Sequence, residues 1–330
     1  MIFPKLIVFD MDGVLIDVSR SYRETVRRTA RIFLRGSAGF DTLPDPLFPL
    51  EDLARFKQTG GLNNDWELTS QVIALLLSTE TARHHTRSTP ERISPAKALM
   101  SFDSSRLADF LRASSSPLME LFAKYGRRSD PFVSQCFKGD VGSGNIIKQI
   151  FQEVYLGDDL FCKIYGFRPC FVQSEGLIHQ ETPLIEKSLL EELHRTHILA
   201  IATGRPRVEA DHPLDHFGLR QHFDLVTTLD DCIWEEQKLF AESGECVCLS
   251  KPNPFLLDLI PQRIGKRFCE AYYLGDMPDD MLAARNSRTG YRGVGVTLCS
   301  ADEESAKYEL LAAGAVHVIH NPSDLRSLIG

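Results

Sequence analysis

The chain opens with MIFPKLIVFDMDGVLID, residues 1–17, in which the apolar run Leu6-Ile7-Val8-Phe9 ends in two acids, Asp10 and Asp12, with Gly13 directly behind them. The run has the length and content of a buried strand. Burying an ionised carboxylate is costly unless something pairs with it, and two acids one residue apart repel each other as well. A positive partner is therefore expected at the end of this strand.

Further short β-rich runs occur at 197–202 (HILAIA), 223–228 (FDLVTT), 271–275 (AYYLG) and 293–298 (GVGVTL), separated by helical patterns or polar loops. Strands alternating with helices predict an α/β fold, a doubly wound parallel sheet with helices on both faces. The first strand stands far from the other four. Between about Ser19 and Leu190 the texture is helical, with a capping-box pattern at Ser21 to Glu24 opening a basic helix to about Leu34. A similar start at Asn64 to Glu67 precedes the apolar positions Trp66, Val72, Ile73 and Leu76. The proline-rich stretch Thr42 to Pro49 and the Ser/Thr/Arg-rich run Ser78 to Pro95 interrupt the helices. The expected organisation is a Rossmann-like sheet domain made of residues 1–18 and 191–330, split by a mostly helical insertion, residues 19–190.

Composition bounds the function. The 330 residues are 43% hydrophobic and 25% charged, ordinary for a globular protein with room for two domains. A net charge of −8 argues against nucleic acid and against an anionic membrane as partners. No apolar stretch approaches the roughly 18 residues of a membrane span, and the first strand leaves no room for a signal peptide, so a cytoplasmic location is expected. The eight cysteines are scattered without CxxC or zinc-finger spacing and read as reduced thiols; Cys246 and Cys248 lack a second pair to make a metal site.

In an open α/β sheet ligands bind beyond the carboxyl ends of the strands. The residues there are Asp10, Asp12 and Asp17 after the first run, Thr203-Gly204-Arg205 after the run ending at Ala202, Lys251-Pro252 farther on, and Asp276, Asp279 and Asp280 after Gly275. Asp10, Asp12 and Asp276 are hard oxygen ligands suited to an octahedral Mg²⁺ that keeps some waters and accepts a phosphate oxygen. That ion would be the missing positive charge. The Thr203 hydroxyl and the backbone N–H groups around Gly204 can bond phosphate oxygens, and Lys251 can sit between a carboxylate and a phosphate. Together they make attack on phosphorus by a carboxylate electrostatically tolerable.

These four blocks, in this order, resemble the haloacid dehalogenase superfamily of phosphotransferases, and the insertion resembles the helical cap of its subfamily IA, the phosphoglycolate-phosphatase-like group. The resemblance covers Met1 to Asp17 and the chain from about Leu193 onward. It implies that Asp10 is the nucleophile that becomes an aspartyl phosphate and that Asp12 is the general acid and base. It further implies that Thr203 binds the transferring phosphoryl group and that Lys251 stabilises Asp10 and the phosphate. Asp276 would ligate Mg²⁺ with Asp10 and the main-chain carbonyl of Asp12, while Asp280, rather than its neighbour Asp279, fills the last acidic position. The implied activity is Mg²⁺-dependent phosphomonoester hydrolysis of a small phosphorylated metabolite.

Substrate contacts are expected from Arg205 and Arg20, whose guanidinium groups suit a carboxylate or second phosphate, and from the loop Lys57 to Trp66, where Asn63 and Asn64 either reach the substrate or begin a helix. The pair His84-His85 reads as solvated. A dehalogenase would lack Asp12 together with Asp276 and Asp280, and a phosphonate hydrolase would want a Schiff-base lysine, for which Lys57 is the nearby candidate. A sugar-phosphate phosphomutase and a non-catalytic binding role on the same fold stay open, as does the choice between monomer and homodimer.

Overall fold

The computed structural model describes residues 3–59, 62, 64–79, 102–300 and 302–329. The chain forms two compact units, one made of Met1–Ser19 and Glu181–Gly330, the other of Arg20–Gln180.

The first unit holds a six-stranded sheet of β1 (Leu6–Phe9), β4 (Ile198–Ala202), β5 (Leu225–Thr227), β6 (Ala271–Gly275), β7 (Arg292–Val296) and β8 (His317–Ile319); β2 (Ile16–Asp17) and β3 (Thr182–Pro183) form a separate ribbon. The sheet runs in the order β5-β4-β1-β6-β7-β8 with every neighbouring pair parallel. All four residues of β1 are fully buried, as a central strand covered on both faces requires. Leu6 and Val8 enter one hydrophobic cluster with Ile198, Ala200 and Tyr273, while Ile7 and Phe9 enter another with Leu199, Ile201 and Leu274. This period-two division is the doubly wound sheet expected from the sequence.

Register positions the site. Phe9 pairs with Ile201 on one side and Leu274 on the other, so the chain leaves three adjacent strands at Asp10, Thr203 and Asp276. β1 has two strands on one side and three on the other, and it is the switch point where α/β sheets open a crevice.

Two details differ from the sequence reading. The chain rejoins the sheet unit at Glu181 rather than at residue 191. Thr182 and Pro183 pair with Asp17 and Ile16, the Leu184 N–H donates to the Leu15 carbonyl at 2.9 Å, and Ile185, Leu189, Leu190 and Leu193 sink into the core beside Ile7 and Phe9. β8 was not anticipated, because a three-residue edge strand with an exposed His317 carries too little apolar signal.

The second unit is built from helices Tyr22–Phe33, Leu50–Gln58, Asp65–Leu77, Ser104–Ala113, Pro117–Tyr125, Pro131–Cys136 and Ile146–Tyr165. Val72, Ile73 and Leu76 are fully buried there, whereas Trp66 is half-buried with the Lys148 ammonium 4.1 Å from its ring centre. The capping box at Ser21 does not form: Ser21 has helical backbone angles, and Glu24 pairs with Arg27 and Arg28 one turn on. Such i,i+3 and i,i+4 ion pairs compete with the cap for the same carboxylate. Residues 80–101, with His84 and His85, lie outside the described residues. Among the described residues no helix is long and apolar enough to cross a membrane.

Candidate active site

Asp10 leaves β1 with its N–H bonded to the Leu274 carbonyl at 2.8 Å, so the sheet ladder fixes where its carboxylate emerges. Lys251 Nζ stands 2.8 Å from Asp10 Oδ1 and 2.8 Å from Asp280 Oδ1. The lysine comes from an irregular loop pinned at several points. The Leu249 N–H donates to Glu236 at 2.7 Å, Asn253 Nδ2 donates to the Cys248 carbonyl at 3.1 Å, and the Phe255 N–H donates to Asn253 Oδ1 at 3.0 Å.

Asp280 lies in the first turn of helix Pro278–Asn286 and is almost fully buried. Both its oxygens have partners: Oδ1 accepts from Tyr273 OH at 2.9 Å and faces Lys251, and Oδ2 accepts the Met277 N–H at 3.0 Å. Asp10, Asp276 and Asp280 can each offer a carboxylate oxygen such that the three lie within 4.8 Å of one another. Asp279 is not a member of this group. Asp12 points its side chain elsewhere, to Arg205.

Two glycines make room for this crowding. Gly13 has φ +71°, and a Cβ there would lie 2.2 Å from Asp276 Oδ2; a Cβ on Gly275 would lie 2.3 Å from Asp280 Cβ. Larger residues would displace the acids they abut.

Of the three carboxylates, Asp10 and Asp280 meet the Lys251 ammonium directly. Burial pushes the Asp10 carboxyl up to about 7, against the pull of Lys251, and the charges of Asp280 and Asp12 add to the rise. Desolvation opposes the charge on Lys251, but Asp10 and Asp280 outweigh it and hold the ammonium well above the ordinary lysine range. A cluster with this excess of negative charge, all of it hard oxygen, fits a divalent cation.

Thr203 is buried at the end of β4; its N–H donates to the Thr227 carbonyl at 3.0 Å and its Oγ1 accepts the Arg205 N–H at 3.1 Å. Gly204 is exposed, with open space within 4 Å of where a Cβ would stand.

Arg205 corrects an expectation. Instead of presenting a guanidinium to a substrate, it is 2% exposed, with Asp12 Oδ1 at 2.6 Å and Glu181 held by two bonds at 3.0 and 3.1 Å. Asn64 is likewise occupied: it caps helix Asp65–Leu77, its side chain accepting the Trp66 and Glu67 N–H groups at 2.9 and 3.3 Å. Asn63 lies outside the described residues. Arg20 is exposed and is the first residue of the second unit. Lys57 is paired with Asp65 at 2.9 Å, and Asp17 orders its own turn by accepting the Ser19 N–H at 2.9 Å.

Two participants escaped the sequence reading. Tyr273 lies under the cluster, bonded to Asp280 and with Lys251 Nζ 5.5 Å from its ring centre. A tyrosine in a fully buried strand needs a partner for its hydroxyl, and that requirement was a usable signal. Glu181 carried none, since its partner Arg205 lies 24 residues on. Two clefts in the second unit, of about 210 and 470 Å³, share Ser70, Gln71, Arg127 and Ser134 as lining; no cluster of metal-binding side chains is found there among the described residues.

A search of protein families matches residues 4–288 to the haloacid dehalogenase-like hydrolases. Among curated proteins, an imidazoleglycerol-phosphate dehydratase of Phytophthora nicotianae is 25% identical over 290 residues, which is 87% of this chain; the chain spans 42% of that relative's length. Among solved structures, a structural-genomics target matches with a TM-score of 0.61 at 19% identity, covering 99% of this chain and 98% of that one. A phosphatase from Thermococcus thioreducens matches with a TM-score of 0.51 at 20% identity, covering 93% and 99%. At these identities the structural likenesses establish the fold. A family match over residues 4–288, on a sheet unit that sets Lys251 between Asp10 and Asp280, makes this chain a member of the haloacid dehalogenase-like hydrolase family.

Proposed function

We propose that the protein is a Mg²⁺-dependent phosphomonoesterase that works through an aspartyl phosphate on Asp10. One observation carries the reading: a buried carboxylate at the end of the central strand touches Lys251 and shares its site with two further acids, beside the Thr203-Gly204 turn of the next strand. Buried anions in excess of their one cation suit a bound divalent cation, whose charge in turn lets a phosphate approach the carboxylate.

Asp10 and Asp276 are the side chains assigned to the metal, with the Asp12 main-chain carbonyl; Asp280 adds its charge while holding Lys251 through the 2.8 Å contact. When bound, Mg²⁺ would neutralise charge on the phosphoryl oxygens. Lys251 favours the ionised form of Asp10 against the cost of its burial and faces the incoming phosphate. Gly204 leaves the open space that a phosphate oxygen occupies, with the Thr203 hydroxyl and neighbouring N–H groups as donors.

In the first step an Asp10 carboxylate oxygen bonds to phosphorus. The P–O ester bond breaks, its electron pair stays on the leaving oxygen, and that oxygen takes a proton from Asp12. In the second step water attacks the phosphorus and passes a proton to Asp12. The Asp10–phosphorus bond breaks, and phosphate leaves with the carboxylate restored. We assign the choice of substrate to the inserted unit, residues 20–180. Its Arg20 is an assigned substrate contact. The Phytophthora relative's name concerns a phosphate ester bearing an imidazole ring; because the match covers 42% of that relative, the name supplies a substrate chemistry to try and not an activity.

The test is phosphate release from phosphoglycolate, sugar phosphates, nucleotides, amino-alcohol phosphates and imidazoleglycerol phosphate, with and without Mg²⁺, for wild type and Asp10→Asn. Mg²⁺-dependent release from some of these is expected, reduced by about 10⁴-fold or more in the variant. Activity retained by Asp10→Asn removes the nucleophile assignment, and turnover undiminished by EDTA removes the metal.

A further inference from the structure

A chain of buried charge leads away from the nucleophile through one guanidinium. Arg205 Nε and Nη2 both lie 2.6 Å from Asp12 Oδ1. The opposite end of the same group, Nη1 and Nη2, grips Glu181 Oε2 and Oε1 at 3.0 and 3.1 Å, and Nη1 also donates to the Glu209 carbonyl at 3.3 Å. The side chains of Arg205 and Glu181 are each 1% exposed, whereas that of Asp12 is 30% exposed. All of these groups belong to the sheet unit.

The geometry fixes more than charge. A guanidinium is planar, and a two-bond grip by a carboxylate sets the orientation of that plane. With Glu181 on the Nη1–Nη2 end, the Nε–Nη2 edge can face only one way, and Asp12 Oδ1 is what it meets. Glu181 is the residue at which the chain re-enters the sheet unit, and Arg205 follows the Thr203-Gly204 turn. Stability alone explains this trio poorly. Even a balanced buried ion pair is often no more stabilising than apolar side chains of the same volume.

We propose that Glu181 and Arg205 are positioning residues for Asp12. Glu181 fixes the plane of the guanidinium; the guanidinium holds Asp12 by Oδ1 and thereby turns Oδ2 toward the proton it exchanges with the leaving oxygen. This rests on the phosphatase reading above. Asp12 touches the reacting oxygen, while Glu181 and Arg205 act through Asp12.

The test exploits how much help a leaving group needs. An alkyl phosphate releases a strongly basic oxygen and depends on proton donation, whereas p-nitrophenyl phosphate releases a stable phenolate that depends on it little. Wild type, Glu181→Gln, Arg205→Lys and Asp12→Asn are compared on p-nitrophenyl phosphate and on one alkyl phosphate from the panel, with kcat and KM measured separately. The ratio of alkyl to aryl kcat is expected to fall by about tenfold or more in Glu181→Gln and Arg205→Lys, a part of the roughly 10²–10⁴ that a general acid supplies, with KM for the alkyl ester little changed. Combining Glu181→Gln with Asp12→Asn should lower the ratio no further than Asp12→Asn alone. Equal losses on both esters, or an additive double variant, would overturn the proposal and leave Glu181 a structural residue. If Glu181→Gln does not fold, Arg205→Lys gives the same comparison, since it keeps the cation but loses the two-edged fork. A wild type inactive on both esters fails the phosphatase reading itself, which is a separate result.

Discussion

Buried carboxylates are treated in opposite ways in the two units. In the inserted unit Asp52 is fully buried and accepts the Leu118 and Met119 N–H groups at 2.6 and 3.4 Å and the Ser116 hydroxyl at 2.7 Å. Glu153, also fully buried, accepts the Cys170, Phe171 and Val172 N–H groups at 2.8, 2.6 and 3.0 Å, with Gln149 Nε2 at 3.0 Å. These acids are saturated by peptide dipoles and staple one segment to another. In the sheet unit Asp10, Asp276 and Asp280 crowd against each other, and Asp10 and Asp280 share Lys251. A buried charge satisfied by backbone donors serves architecture. One set against like charges holds a site whose balance a ligand completes.

The contrast can be broken most directly at Asp10. Its carboxyl titrates near 7 in the folded chain against 3.8 for an ordinary aspartate. Between those values the folded state holds the proton that the unfolded chain gives up, so ionisation costs stability that grows across that interval and is fully present above it. Metal-free Asp10→Asn, neutral at every pH, should therefore melt above metal-free wild type at about pH 8, and the gap should close toward about pH 4. Mg²⁺ should raise the melting temperature of wild type and have little effect on the variant. A pH-independent gap would place Asp10 among ordinary, well-paired acids.

Glu153 should behave in the reverse manner. Glu153→Gln removes the charge and leaves N–H donors of Cys170 to Val172 poorly satisfied, a loss of about 1–3 kcal/mol in unfolding free energy. Turnover per folded molecule should stay within a few-fold of wild type, as denaturant melts and kinetics on one preparation would show. A large fall in kcat without loss of stability would erase the distinction between the two kinds of buried acid.

Asn64 is the smallest and sharpest case, because sequence left it divided between substrate contact and helix start. Asn64→Ala should cost about 1 kcal/mol through loss of the N-cap and leave KM unchanged. A several-fold rise in KM with unaltered stability would return it to the substrate.

Much of the sheet unit was legible because its signals are local. An apolar run ending in Asp10, a Thr-Gly turn at Thr203 and acids behind Gly275 each occupy a few adjacent residues, and the rule that parallel sheets open at their carboxyl ends ties them together. The reading failed where a side chain's partner is remote. Arginine after Thr203 looked like a ligand-binding group, and nothing near it disclosed that Glu181 and Asp12 would bury it. The Ser21 to Glu24 pattern matched a capping box, yet the basic helix offered Glu24 nearer partners.

The sequence alone determined which acids and which hydroxyl follow the strands, because alternation and turn residues write that directly into neighbouring positions. Tertiary structure decided the rest. It showed that Lys251 spans Asp10 and Asp280, that Tyr273 supports the second of these, that the chain returns to the sheet at Glu181, and that Arg205 is held inside. Charge pairing depends on distance in space, and only the closed sheet brings residues 10, 181, 205, 251 and 280 within a few ångströms of their partners.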